Sequence, residues 1–355
     1  MLLPAGAVLF RCAQPLVGVM GRVCGADERI VRAAVDAMGD GRGVVAIDCR
    51  RRAAPPRRAW RALVAAGCRP PCAECCLFRS SEWASAAQRT LGGGSERARE
   101  AQYGIARMHF AGIDNAAAQQ ASAARLRDSC RALSNFTLRN LSRIAAVTSG
   151  KWCDQVHRIL SAACDAAEAI DRRRGSVLVH CSDGWNRTPQ VVALAQLLLD
   201  PYYRTFQGFQ VLIEKEWVAF GHCFPLRLGH TRQGRKQQAP IFLQFLDAVW
   251  QLLQTRRHAF EFREELLLAL ADAALSRRWG TFAFDSPRDA ARARAAEVTR
   301  SVWPELDARR DALAHARYRP VPGLLVVRIP PKDVQIWAPL YLRYADAPEA
   351  ESPRE

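Results

Sequence analysis

Lysine is nearly missing from this chain: of its 51 basic residues only four are Lys (151, 215, 236 and 332) and the rest are Arg. Also missing is any apolar run approaching the roughly 20 residues that a membrane-spanning helix needs. The first ten residues are apolar but short, with no basic start and no clear cleavage site, so they do not read as a secretory leader. Without such a pattern the twelve cysteines are expected to be mostly free thiols of a soluble protein in a reducing compartment. Four of them, Cys68, Cys72, Cys75 and Cys76, crowd one short stretch. Two are adjacent, and no second Cys/His pair follows at a familiar distance, so the spacing does not make a zinc site. Neither metal nor cofactor is expected, and no internal repeat is visible.

What is present suits a folded chain. Hydrophobic residues make up 49% of 355 positions, enough for a substantial core in one large domain or two small ones. The formal charge of +16 favours acidic partners such as phosphates, anionic membranes or nucleic acid. The Arg-for-Lys skew, with its abundant Ala, is equally what codon bias produces, and a nucleic-acid partner would rest on charge alone, so none is assigned.

Apolar periodicity predicts helices at Ile30–Met38, Ser122–Leu141, Lys151–Arg172, Thr188–Asp200, Phe242–Leu253 and Phe260–Leu275. In Lys151–Arg172 one face carries Val156, Ile159, Leu160, Ala163 and Ala167. Short strands are expected at Val44–Ile47, Arg107–Phe110 and Leu324–Ile329. Ser176-Val-Leu-Val-His180 is a continuous apolar run, the mark of a buried strand. Residues 51–91, rich in Arg, Pro and Cys, read as a divergent loop or insertion closed by Gly92–Gly94. The pattern gives an N-terminal segment at 1–10, one α/β domain over 11–345 with a helical C-terminal portion, and a disordered tail at 346–355.

The strand at 176–180 runs into Cys181-Ser-Asp-Gly-Trp-Asn-Arg187, and a helix starts near Thr188. Cys, five residues, then Arg between a buried strand and a helix is the spacing that phosphate-monoester chemistry needs. Backbone N–H groups of such a loop converge on phosphate oxygens at the positive end of the helix. The same field favours a Cys181 thiolate, which can attack phosphorus and form a phosphocysteine that water hydrolyses. Arg187 can hold two phosphate oxygens through its planar fork. Gly184 allows the tight turn, and Thr188 can hydrogen-bond the departing sulfur.

At these residues the sequence resembles the myotubularin family of phosphoinositide 3-phosphatases, whose loop it matches at every position of 180–188 except 186. Further landmarks follow in order: Arg11-Cys-Ala-Gln-Pro-Leu-Val-Gly18, Ala46-Ile-Asp-Cys-Arg50, Gly92–Gly94, Tyr202–Phe209, Glu214–Trp217, Phe220–His222, Pro240–Asp247, Trp250, Gly280–Phe282, Ser301–Trp303 and Trp337. The resemblance implies a protein tyrosine phosphatase-like sheet flanked by helices and removal of the D3 phosphate from phosphatidylinositol 3-phosphate or the 3,5-bisphosphate. It implies a cytoplasmic protein peripheral to endosomal membranes, and a homodimer or a heterodimer with another myotubularin-like chain. The family's N-terminal PH-GRAM domain is expected to be lacking. Substrate contacts carried over are Ser182, Asp183, Gly184, Trp185, Asn186, Arg187, Thr188, Arg227 and Asn115, with Cys181, Arg187 and Asp183 as the catalytic set.

Four departures bear on activity. Asn186 stands where the family has Asp, and an amide cannot transfer a proton as a carboxylate does; Asp183 remains as a partial substitute. Cys223 stands where the family has an Arg that helps bind the D5 phosphate, while Arg227 keeps a second basic contact, which shifts the expected preference toward the monophosphate. Gln88 replaces an Asn near the substrate. Asn115 matches a substrate-side Asn but is equally readable as a turn or cap, and Ala-rich sequence replaces the basic segment after it. The alternative is a catalytically impaired scaffold that binds phosphoinositide or a partner phosphatase. His222 and His230 read as structural or solvated, Lys215–Glu216 as a helical surface pair, and Trp217, Phe220, Phe242, Phe245 and Trp250 as core.

Overall fold

The computed structural model describes residues 7–13, 29, 33, 44–51, 105–132, 150–172, 175–232, 234 and 237–343. The Cys68–Cys76 cluster, Gln88, Gly92–Gly94 and the tail at 346–355 lie outside these residues, as do the expected helix at Ile30–Met38 apart from Ala33, nearly all of the expected insertion at 51–91 and the C-terminal part of the helix expected at Ser122–Leu141. The chain divides into two compact units, one formed by Met1–Ile113 with Asp165–Thr188 and the other by Asp114–Cys164 with Pro189–Glu355.

The first unit is organised by a four-stranded sheet, with strands β1 (Leu9–Cys12), β2 (Val44–Asp48), β3 (Ile105–Phe110) and β4 (Val177–His180) in the order β1-β4-β2-β3. Every pairing is parallel. β4 lies between two neighbours and is buried at all four positions, which is why it reads as unbroken apolar sequence rather than as alternation. One face of the sheet packs Val44, Ala46, Met108 and Leu178 with Phe10, Cys12 and Phe110. Ile47, Val177 and Val179, also buried, alternate with these along the strands. β1 runs across residue 10, where the sequence suggested a segment boundary. β2 and β4 end in register, Asp48 opposite His180, so the loop after β4 opens at the carboxyl edge of the sheet.

Helix α1 (Ala116–Ala132) begins six residues before the expected Ser122. Its first turn, Ala116-Ala-Ala-Gln-Gln120, has high helix propensity but no apolar stripe, so periodicity could not find it. Helix α2 (Gly150–Asp171) follows the expected range, and Val156, Ile159, Leu160, Ala163 and Ala167 are all buried. The Gly175 N–H returns to the Ala169 carbonyl at 3.2 Å, closing the turn into β4. Helix α3 (Arg187–Leu199) starts with the loop arginine.

The second unit carries α4 (Phe206–Ile213), α5 (Ile241–Thr255) and α6 (Glu264–Ser276) around an aromatic core. Phe209 stacks on Phe262 with ring centroids 4.5 Å apart, and Trp217 meets Phe242, Phe245 and His222 at 4.9–5.1 Å. His222 is thus a core residue. Arg204, fully buried, donates to the Leu197 and Leu198 carbonyls at 2.6 and 3.1 Å and to Val321 at 2.5 Å. It thereby places a cation at the negative end of α3. Asp247, also buried, accepts from Trp152 Nε1 at 2.8 Å, Gln251 at 2.9 Å and the Tyr341 hydroxyl at 2.9 Å.

Three sequence expectations are corrected here. Leu324–Ile329 is not a strand. Leu325 and Val327 are buried and Val326 exposed, as alternation requires, but the Leu325 N–H goes to Leu198 O at 2.8 Å and the Val327 carbonyl takes the Cys164 thiol at 3.5 Å. The backbone is satisfied by a helix end and a side chain, so no ladder forms. Lys215–Glu216 is no surface pair: it lies in a π-helical turn, Glu214–Ala219, with Glu216 buried. Gln196 donates to Glu216 at 2.9 Å, and Lys215 donates to Gln196 at 2.5 Å and to Tyr203 at 2.7 Å. Phe220, read as core, is 53% exposed, because that turn ends just before it and Gly221, at φ +73°, redirects the chain.

Candidate active site

The loop 181–187 leaves β4 at a fully buried position and enters α3 at Arg187. Pro189 sits in the first turn of α3, where its missing N–H removes nothing the helix would use. The Cys181 side chain is almost entirely buried, at 2% exposure. Its sulfur receives the Gly184 N–H at 3.2 Å. Burial by itself would push the thiol up. The Thr188 hydroxyl, the Arg187 guanidinium and the N–H groups of Thr188 and Gly184 outweigh it, and Cys181 is held below the ordinary thiol range. The Thr188 hydroxyl is buried and lacks a partner at full hydrogen-bond geometry, so its pull on the sulfur is a looser contact than that of Gly184.

Arg187 folds back over its own loop. One amino group donates to Ser182 Oγ at 3.2 Å and the other to the Ile113 carbonyl at 3.4 Å. Both contacts are long and to neutral acceptors, so an incoming phosphate dianion can replace them with shorter, charge-assisted bonds. Gly184 has φ +79°, and a Cβ there would lie 2.8–2.9 Å from the Cys12 and Ala13 backbone. The loop therefore rests directly on the end of β1, held by Arg11, which donates to the Gly184 carbonyl at 2.7 Å. Trp185 is half-buried and Asn186 buried, at 8% exposure. Asp183 is exposed and has no hydrogen-bond partner among the described residues.

A second layer supports this edge from β2. Asp48, fully buried, takes the Arg50 fork at 2.9 and 2.7 Å and the Arg50 N–H at 3.0 Å. Burial would raise its carboxyl, but Arg50 and His180 overcome that and hold it below the usual range. The Cys181 charge in turn helps keep Arg50 protonated. Between Asp48 and Arg50 sits Cys49, wholly buried, its N–H on the His180 carbonyl at 2.8 Å.

The loop residues expected to act together, Cys181 to Thr188, are thus assembled in the first unit. Asn115 and Arg227 belong to the second unit. Asn115 caps α1, its side-chain oxygen accepting the Ala118 N–H at 2.9 Å. Arg227 ends the short helix Phe224–Arg227 and donates to the Gln237 carbonyl at 2.8 Å; Cys223 precedes that helix with its thiol 3.7 Å from the Gly221 carbonyl. Sequence reasoning missed the supporting roles of Arg11, Asp48 and Arg50, although all three stand in landmarks it had noted. Among the described residues no group of three His, Cys, Asp or Glu side chains is arranged to hold a metal.

With this geometry in place, the comparison with known families is decisive: residues 3–291 match the myotubularin-like phosphatase domain. The chain belongs to that family. It is 38% identical over 260 residues to phosphatidylinositol-3,5-bisphosphate 3-phosphatase MTMR8 of Homo sapiens, covering 73% of this chain and 36% of that protein. Against phosphatidylinositol-3,5-bisphosphate 3-phosphatase MTMR6 of Caenorhabditis elegans it is 33% identical over 347 residues, 95% of this chain and 45% of the relative. Against myotubularin-related protein 9-like of Bos taurus it is 34% identical over 351 residues, 98% of this chain and 58% of the relative. This myotubularin-like chain therefore spans between about a third and three-fifths of the length of these relatives.

Proposed function

We propose that this chain is a cysteine-dependent phosphoinositide 3-phosphatase with a protein tyrosine phosphatase-like catalytic unit, acting on phosphatidylinositol 3-phosphate at a cytoplasmic, endosomal membrane surface. The observation that carries the reading is the Cys181 sulfur, buried, held below the ordinary thiol range, and bonded by the Gly184 N–H at the mouth of α3. In the reaction the thiolate attacks phosphorus in line, the P–O bond to the inositol breaks, and Cys181 carries the phosphoryl group. Arg187 moves from Ser182 and Ile113 onto two phosphoryl oxygens. Water then attacks phosphorus and the P–S bond breaks, returning the thiolate with Thr188 beside it.

The step least provided for is protonation of the departing inositol oxygen. Asn186 cannot supply that proton, and Asp183 is the exposed carboxyl of the loop that can. The lipid substrate class rests on the names of the relatives, and the preference for the monophosphate on Cys223. The roles of Arg227 and Asn115 in binding lipid rest on sequence matches. One observation favours a second reading, a lipid-binding scaffold: the buried amide of Asn186 occupies the family's carboxylate position. Phosphate release from a panel of phosphoinositides and a phosphotyrosine peptide tests both readings. Release confined to D3-phosphorylated lipids, and lost in Cys181→Ser, supports the phosphatase. Lipid binding without release supports the scaffold, and release from the peptide alone overturns the lipid assignment.

A further inference from the structure

The reacting loop has a second cysteine beside it, just past the end of β2. Cys49 and Cys181 each follow a strand that ends in register, Asp48 opposite His180. The ladder continues one step further, because the Cys49 N–H bonds to the His180 carbonyl at 2.8 Å. The two cysteines thus face each other one residue past the ends of adjacent parallel strands. Such neighbours lie about 4.8 Å apart and direct their side chains to the same face of the sheet, and a disulfide needs Cα atoms roughly 4.4–6.8 Å apart. Both side chains are buried, at 0% and 2% exposure, and both are free thiols. Cys12, at the end of β1, is no rival: it packs with Val44, Ala46 and Leu178 on the opposite face.

We infer that Cys49 is a resolving thiol for Cys181, so that hydrogen peroxide converts the pair into a reversible intramolecular disulfide that switches the loop off and shields its nucleophile from irreversible oxidation. The role in switching rests on the phosphatase reading; the disulfide chemistry does not. In the first step the Cys181 thiolate attacks one peroxide oxygen, the O–O bond breaks, and hydroxide leaves, becoming water on taking a proton. Cys181 is then a sulfenic acid. In the second step the Cys49 sulfur gives up its proton and attacks the Cys181 sulfur. The S–O bond breaks and hydroxide leaves with that proton as a second water. Peroxide is reduced by two electrons and the two thiols supply them. An external dithiol reverses the reaction by exchange.

The surroundings give the two sulfurs different parts. Cys181 is poised as the thiolate that meets peroxide first. Cys49 is held well above the ordinary thiol range by burial, by the neighbouring charge on Cys181 and by Asp48, so it stays protonated and does not compete for substrate. Once Cys181 is a neutral sulfenic acid, its share of that repulsion disappears, while Arg187 and Arg50 still favour a Cys49 thiolate. Oxidation of the first sulfur thereby prepares the second.

The test treats purified protein with hydrogen peroxide, caps remaining thiols with N-ethylmaleimide, and maps the peptides by mass spectrometry, for the wild type, Cys49→Ala and Cys181→Ser. The expected result is a Cys49–Cys181 linked peptide pair that has lost two hydrogens and returns to thiols with dithiothreitol. In Cys49→Ala, Cys181 passes instead to sulfinic and sulfonic forms that dithiothreitol does not recover. A wild type in which Cys49 stays open to capping while Cys181 over-oxidises, or links to a different cysteine, overturns the inference. The readout is the state of the thiols, so it stands even if the reduced protein releases no phosphate, an outcome that would count against the phosphatase reading alone.

Discussion

Gly184→Ala is the perturbation that tests the loop most searchingly. The new Cβ would sit 2.8–2.9 Å from backbone atoms of Cys12 and Ala13, and backbone cannot swing aside as a side-chain tip can. At φ +79° an L-residue adds about 1–2 kcal/mol of conformational strain. Relief requires the loop to lift off β1, and the same residue carries both the Arg11 bond at 2.7 Å and the N–H bond to the Cys181 sulfur at 3.2 Å. A hydrogen bond to a charged group contributes about 1.5–3 kcal/mol. Losing that bond should disfavour the Cys181 thiolate by a similar amount and so raise the thiol. The assay is the rate of iodoacetamide alkylation of the Cys181 peptide against pH, with Tm measured alongside. Arg11→Met loosens the loop from outside without adding a Cβ at 184 and should shift the midpoint the same way by less. Folded protein with an unchanged midpoint in both variants would refute the argument that β1 and Gly184 tune the thiol.

Further outcomes follow from other parts of the structure. Thr188→Val keeps the shape of the helix start and removes the hydroxyl that acts on sulfur, so the Cys181 alkylation midpoint should move to higher pH. Asn186→Asp should speed phosphate release by roughly 10²–10⁴-fold if proton transfer is what the loop lacks; steady-state release measures it. Arg204→Met removes the donor to the Leu197 and Val321 carbonyls and should cost about 2–4 kcal/mol in chemical denaturation. Asp247 is raised from 3.8 to about 6, burial outweighing the bonds from Trp152, Gln251 and Tyr341. Its folded pKa exceeds the unfolded one, so between those values the native state binds more protons. Stability should therefore fall as pH rises from about 4 to 6, by at most about 3 kcal/mol, and Asp247→Asn should flatten denaturation midpoints across that window.

Much of the sheet and of the loop was legible in the sequence, for local reasons. β4 is apolar at consecutive positions because it is flanked on both sides, and the loop announces itself by Cys181, Gly184 and Arg187 at a strand–helix junction. What stayed hidden depends on residues far apart in the chain. Arg11 reaches Gly184 across 173 positions, and no local pattern says that a strand-end guanidinium will meet that carbonyl. Leu325–Val327 has the alternation of a strand, yet its partners are a helix end and a thiol. Lys215 and Glu216 look solvated by composition, and only the π-helical turn carries them into a buried network with Gln196. Cys49 is one apolar-compatible residue among many until register sets it opposite Cys181.

The central claim is that Cys181 carries the phosphoryl group. Rapid-quench incubation with phosphatidylinositol 3-phosphate labelled in its D3 phosphate, followed by peptide mapping, measures this directly. Label should appear on the Cys181 peptide of the wild type at a rate that precedes or matches phosphate release, and should be absent in Cys181→Ser. Undiminished phosphate release from Cys181→Ser, or release from the wild type with the label on another residue, would contradict the account.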